Sequence, residues 1–274
     1  MRRIKMMGLC LVAVFAVAAV AVSSASAALP EYKVCVKAEK IGKVYNGKFA
    51  DKECATAEPK GEGKYELKGW ESAKKFGLKG KNGVSTLDSY IPENEAEPWK
   101  GGAVAGTVTC KSGKSEGEIT GAKTASITVE FKTCTSEGKK CTSEGQKAGV
   151  IKTKTLTATL GYINKEAKTV GSDVEAADKG VSAAFDCEGL EIVTVGSVIG
   201  VNTGNINKIS KEGTQTFNVN AKGGQEVVFG EFPENAMTGP AHFLLSKITP
   251  PGVTLPSGEK TTSVLKGEKE MIAA

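Results

Sequence analysis

The stretch "ASITVEFK", residues 125–132, alternates without a break: Ala125, Ile127, Val129 and Phe131 fall on one side, Ser126, Thr128, Glu130 and Lys132 on the other. A period of two is the mark of a strand with one face in a core and one in water. The pattern recurs along the chain. "GVIKTKTLTATLGYI" (149–163) is long and rich in β-branched residues, and its alternation slips phase near Leu156, which predicts a bulge. "LEIVTVGSVIGV" (190–201) is apolar on both faces, as a central strand would be. "TQTFNVN", the turn "AKGG" and "QEVVFGEF" (214–232) predict a hairpin in which Val227 and Phe229 answer Phe217 and Val219. One short helix is expected at 70–76, "WESAKKF", and no long segment with a 3.6-residue period appears. The expected fold is an all-β, antiparallel β-sandwich stabilised by disulfides.

Three parts are expected. Residues 1–27 read as a signal peptide. Arg2, Arg3 and Lys5 precede a 15-residue apolar run from Gly8 to Val22, and Ser23 to Ala28 supply the small residues of a cleavage site near Ala27. As a helix that run would span roughly 22 Å, short of the ~30 Å needed to cross a bilayer core. Leu9 stands before Cys10 where a lipoprotein signal wants a small residue, and "LPSGE" (255–259) lacks the threonine of a wall-sorting signal. Residues 28–98 read as a cysteine-loop segment ending in the acidic linker "IPENEAEPWKGG" (91–102), and residues 99–274 as the main β-sandwich domain. The expected location is secreted, outside the membrane.

The leader holds three of the 36 basic residues and no acid, leaving 33 basic groups against 31 acidic ones. Both arginines lie in it, so every later basic residue is lysine. Arginine is the usual group for bidentate reading of phosphates and guanine edges, which argues against a nucleic-acid partner. A cell-surface glycan or another protein is the expected partner, with no membrane span after cleavage.

Six cysteines follow the leader: 35, 54, 110, 134, 141 and 187. An even number in an exported chain reads as disulfides. Zinc would favour C-x2–4-C pairs and histidines, and the one histidine is His242, so neither metal nor cofactor is expected. Val104, Gly106, Val108 and Cys110 share a strand face, as do Val181, Ala183, Phe185 and Cys187, so Cys110 and Cys187 should both look into a core. The doubled heptad "KTCTSEGKKCTSEGQK" (132–147) reads as a clipped hairpin tip. The expected pairing is Cys35–Cys54, Cys134–Cys141 and Cys110–Cys187.

These cysteine blocks, "PEYKVCVKAEKIGKVYNGKFADKECATAEP", "VTCKSGKSEGEITGAKT", "FKTCTSEGKKCTSEGQKAGVIKTKTLTATLGYI" and "FDCEGLEIVTVGSVIG", resemble blocks recurring in this order in a large group of uncharacterised exported bacterial proteins. The resemblance implies a shared secreted β-fold and carries no catalytic motif.

Chemistry is sparsely signalled. "GKSEG" (113–117) fits G-x-S-x-G, and Ser115 with Asp173, Asp178 or Asp186 and then His242 has the chain order of an α/β-hydrolase triad. That motif needs a strand–turn–helix elbow, and the sequence continues as strand, so Ser115 is expected in an ordinary turn. Trp70 and Trp99 are candidates for stacking on sugar rings, with core packing the plainer reading. No catalytic residue is assigned. The expected function is a non-catalytic, extracytoplasmic binding or structural module; a secreted hydrolase using Ser115 and His242 is the alternative.

Overall fold

The structure, a computed structural model, describes residues 29–70, 76–204, 206, 210–232 and 241–273. The expected leader, and residues 71–75 of the expected helix, lie outside the described residues. On either side of that gap Trp70 follows one strand and Phe76 opens another.

The N-terminal segment carries β1 (Tyr32–Lys37), β2 (Lys40–Ile41), β3 (Val44–Tyr45) and β4 (Tyr65–Gly69). There follow β5 (Phe76–Asn82), β6 (Ser85–Pro92), β7 (Gly102–Ile119), β8 (Thr124–Ser136), β9 (Lys139–Lys140), β10 (Val150–Lys152) and β11 (Leu156–Asn164). The rest are β12 (Thr169–Ala176), β13 (Val181–Asp186), β14 (Glu191–Thr203), β15 (Ser210–Phe217), β16 (Leu244–Thr249) and β17 (Val253–Ala273). The chain is all-β and antiparallel, with three disulfides, as its alternation implies.

Several short strands are halves of longer ones. β5 and β6 both pair β7 in one running register, Asn82 facing Gly113 and Ser85 facing Cys110, and both pair β17 with a one-residue slip, so they form a single strand broken at Gly83–Val84. β10 and β11 both pair β8. Ile151 faces Phe131 but Leu156 faces Ile127, so one strand has gained a residue on its neighbour, the bulge expected near Leu156. β12 and β13 likewise share β14, and β15 and β16 share both β14 and β17. Counted this way, eight antiparallel strands succeed one another in chain order: β5–β6, β7, β8, β10–β11, β12–β13, β14, β15–β16 and β17. β17 then pairs back onto β5–β6. The two faces of the sandwich are therefore one sheet, hydrogen-bonded all the way round into a closed up-and-down barrel. Closure removes the open edges that would otherwise template pairing with another chain.

Outward positions carry the charge. Lys114 lies 3.7 Å from Glu130, and Lys132 lies 3.6 Å from Glu130, on the outer faces of β7 and β8. A lipid-facing barrel would show an apolar belt there. Inward positions are mostly apolar or small, and two of the core clusters close the ends of the barrel.

At one end, Trp70, Phe76, Leu78, Ile119, Ala125 and Ala158 pack with Tyr32 and Val34 of β1. The N-terminal segment thus closes that end, held by Tyr32 N–H donating to Ala122 O (2.7 Å) and by the Cys35–Cys54 bond. At the other end lie the remaining four cysteines, with Val108, Ile151, Phe185 and Ile192. Their pairing corrects the sequence expectation: Cys110 bonds Cys134, and Cys141 bonds Cys187. Cys110 and Cys134 sit directly opposite in the β7–β8 register, with Cα atoms 4.0 Å apart. The β8–β9 hairpin does bring Cys141 beside Cys134, Cys141 N–H donating to Cys134 O, yet each reaches away from the other to a different partner.

The acidic 91–102 stretch, expected as a linker, is the tip of the β6–β7 hairpin, with one 3-10 turn at Pro98–Lys100. Strands on both sides of residue 98 belong to one sheet. The hairpin expected at 214–232 shrinks to the Val219–Gln225 bridge and a turn in which Asn220 Oδ1 accepts from the Lys222 and Gly224 N–H groups. Beyond Gln225 the chain peels off, so Val227 and Phe229 do not answer Phe217 and Val219. Phe217 faces Thr261 of β17 instead.

Candidate binding cavity inside the barrel

An internal cavity of about 170 Å³ runs along the barrel axis. Every strand of the barrel contributes to its wall, among them Leu87, Ile127, Phe131, Val174, Val198 and Leu265. Leu87, Ile127, Phe131, Val174 and Leu265 retain accessible surface although the barrel encloses them, because that surface faces the cavity. Small inward residues make the room: Gly80, Gly113, Ser115 and Gly117 line up along β5 and β7, and a Cβ on Gly80 would stand 2.7 Å from Leu265.

Most polar groups of the wall are spent on one another. Ser115 donates to Asn82 Oδ1 (2.8 Å), and the Asn82 amide donates to Ser263 (2.7 Å). Ser85 and Thr261 share a hydrogen bond, and Asn202 donates to Ser172 while accepting from Gln215. Further along, Ser89, Ser257 and Ser246 form a chain of buried hydroxyls.

Glu259 is different. It stands on the inward row of β17 with Thr261, Ser263 and Leu265, opposite Leu87. β15 ends at Phe217 and β16 begins at Leu244, which would leave the Glu259 backbone groups between them unpaired on that side. Gln225 fills the gap: its Oε1 accepts from Glu259 N–H (3.0 Å) and its amide donates to Glu259 O (3.3 Å). The carboxyl has no hydrogen-bond partner among the described residues. Protein surrounds it, its remaining accessible surface is onto the cavity, and burial pushes its pKa from 4.5 up to about 7. Ser182, whose hydroxyl is buried without a partner, belongs to the same wall.

The residues singled out from sequence fall elsewhere. Ser115 is not in a turn; it is the middle of β7, buried and facing the barrel interior. His242 lies on the other side of the wall. Asp173 and Ser197 are outward residues of β12 and β14, and the segment just before β16 lays His242 over them. His242 Nδ1 is 3.0 Å from Asp173 Oδ2 and 2.9 Å from Ser197 Oγ. Serine, histidine and aspartate thus meet, but not the expected serine and not as a triad, in which the acid holds Nδ1 and the serine engages Nε2. Here both crowd Nδ1, and the group is buried. It works as a clasp that seats the segment on the barrel, beside Phe232 packed over Gly161.

Of the two tryptophans, Trp70 is core, its ring edge-on to Phe76 at 4.1 Å between centroids. Trp99 is half-buried at the β6–β7 tip, with Phe229 at 5.8 Å and Phe243 at 6.1 Å. Among the described residues no cluster of three histidine, cysteine or acidic side chains could hold a metal. None of their helices is long and apolar enough to cross a membrane.

Fold and cavity together define a disulfide-stapled, closed eight-stranded barrel with an internal pocket. No protein-family model, curated protein or solved structure matches the chain.

Proposed function

We propose that the protein is an exported, non-catalytic binding module that takes a small molecule into its barrel. The observation that carries this reading is the apolar surface of Ile127, Phe131, Leu87, Val174 and Leu265, turned onto a void inside the barrel. A protein selected for stability alone fills such space, since voids forfeit dispersion contacts and cost about 24 cal/mol per Å³. Eight strands enclose room for packed side chains or for one small ligand. A cavity of about 150 Å³ lined by apolar side chains admits benzene, and this one is of that size. The leader, the three disulfides and the exported group that the chain resembles support a location outside the membrane.

The test is direct. Benzene or xenon should raise the melting temperature and give an exchange-shifted xenon resonance. Val174→Phe, which fills the cavity, should abolish both responses in a protein that still folds. Wild-type protein that responds to neither probe would refute the reading.

A further inference from the structure

We propose that Glu259 is the polar pole of this cavity and that the barrel selects a small protonated amine carrying a compact apolar body. The inference rests on the binding reading above and adds the ligand's chemistry to it.

A carboxyl inside a β-barrel is ordinarily spent on a lysine, an arginine or several N–H donors, because an unpaired one is costly to enclose. Among the described residues Glu259 has none of these, although most polar groups of the wall around it are paired with one another. The sheet takes trouble to hold it there. Gln225 reaches in from beyond the end of β15 to satisfy both backbone groups of this one residue, which fixes the side chain's direction. Its same-row neighbour Thr261 is bonded to Ser85, and Leu87 lies across from it, with Phe217 and Leu244 beside it in the next strand. A ligand's ammonium group is the partner that this environment lacks, while the leucines, Phe131 and Ile127 receive its body.

Among the described residues no charge competes for that role. Of the lining residues, Lys211 and Tyr32 are the other titratable groups. Lys211 lies six residues before Phe217 on β15, roughly 20 Å toward the far end of the barrel, and is exposed. Tyr32 stands at the same end, near the Ala273 terminus of β17, and burial keeps its phenol neutral to about 12. Lys260, next in the chain, is exposed on the outer face, and Asp88 accepts a hydrogen bond from Thr107 (2.6 Å), also outside.

Because free Glu259 titrates near 7, an ammonium ligand binds the ionised form and displaces a proton. Affinity for a cation should therefore fall as pH drops below 7, about tenfold between pH 8 and pH 6. Benzylamine and benzyl alcohol, nearly equal in shape, separate the alternatives by calorimetry. Benzylamine should bind more tightly at pH 8 than at pH 6, and near pH 6 its binding heat should vary with buffer ionisation enthalpy because a proton is released; benzyl alcohol should show little pH dependence. Glu259→Gln should lose the benzylamine preference and keep alcohol binding. Alcohol binding without amine preference, or amine binding equal at both pH values, overturns the role of Glu259 and leaves the binding barrel standing. Binding of neither compound overturns both readings.

Discussion

Tyr90 is fully buried, and its hydroxyl finds no partner among the described residues. Desolvation raises its pKa to about 12, so the phenol stays neutral throughout the useful range. An enclosed hydroxyl without a hydrogen bond costs about 1–3 kcal/mol. Tyr90→Phe keeps the ring and removes the penalty. It should raise stability by about 1 kcal/mol in chemical denaturation, and a loss of more than that would mean the hydroxyl has a partner. Ser115 makes the opposite point about single residues. "GKSEG" contains two glycines, a serine and two charges, which is what a turn looks like when judged by composition. Read by alternation, Gly113, Ser115, Gly117 and Ile119 are one face and Lys114, Glu116 and Glu118 the other, and that signal was present in the sequence. Small residues facing inward mark a strand beside a cavity, where bulk is unwanted. Glu259 was not legible in this way: in "LPSGEK" nothing distinguishes it from a solvated glutamate until the barrel closes over it.

At the scale of elements, strand faces were readable and strand neighbours only partly so. Alternation placed Cys110 and Cys187 in a core, and the structure buries both. Which cysteine each meets depends on register across neighbouring strands, and a meander sets Cys110 opposite Cys134 because β7 and β8 follow each other in one hairpin. Nearness in sequence misled for Cys134 and Cys141, which adjoin across a turn but point to different partners. The actual loops, 24 and 46 residues apart in sequence, should each contribute about 3–4 kcal/mol through lost unfolded-state entropy. The pairing has a clean consequence. Cys110→Ser and Cys134→Ser should lower the melting temperature similarly, and the double mutant should be little worse than either alone. Additive losses, or a free Cys187 thiol in the Cys110 mutant, would refute the pairing. The same limit explains the hairpin at 214–232: its turn chemistry was legible at Asn220, but β17 outcompetes residues 227–229 for the edge of β15.

Closure belongs to the whole molecule. It needs β17 to return to β5–β6, a contact between residues about 180 apart, and no local pattern encodes it. Alternation with polar outer faces was compatible with two packed sheets, and only the ring of pairings distinguishes one joined sheet. Closure also makes one side chain govern how stability depends on pH. An ordinary glutamate in the unfolded chain titrates near 4.5, whereas Glu259 in the closed barrel titrates near 7. Between those values the folded state holds a proton that the unfolded state has released. Stability from this group is therefore full below about 4.5, declines as pH rises toward 7 and is flat above. The gap corresponds to about 3 kcal/mol as an upper bound. Asp51 runs the other way: hydrogen bonds from the Ala55 backbone, the Thr56 side chain and backbone, and the Glu53 backbone lower its pKa to about 2, so its contribution is lost only in strong acid. The ligand-free protein should thus be most stable near pH 4–5 and lose roughly 5–10 °C of melting temperature by pH 8. Glu259→Gln should flatten that slope, and benzylamine at saturating concentration should offset it at pH 8. A wild-type melting temperature that stays level or rises from pH 5 to 8, or a Gln variant that keeps the decline, would show that the carboxyl is not enclosed as the closed barrel places it.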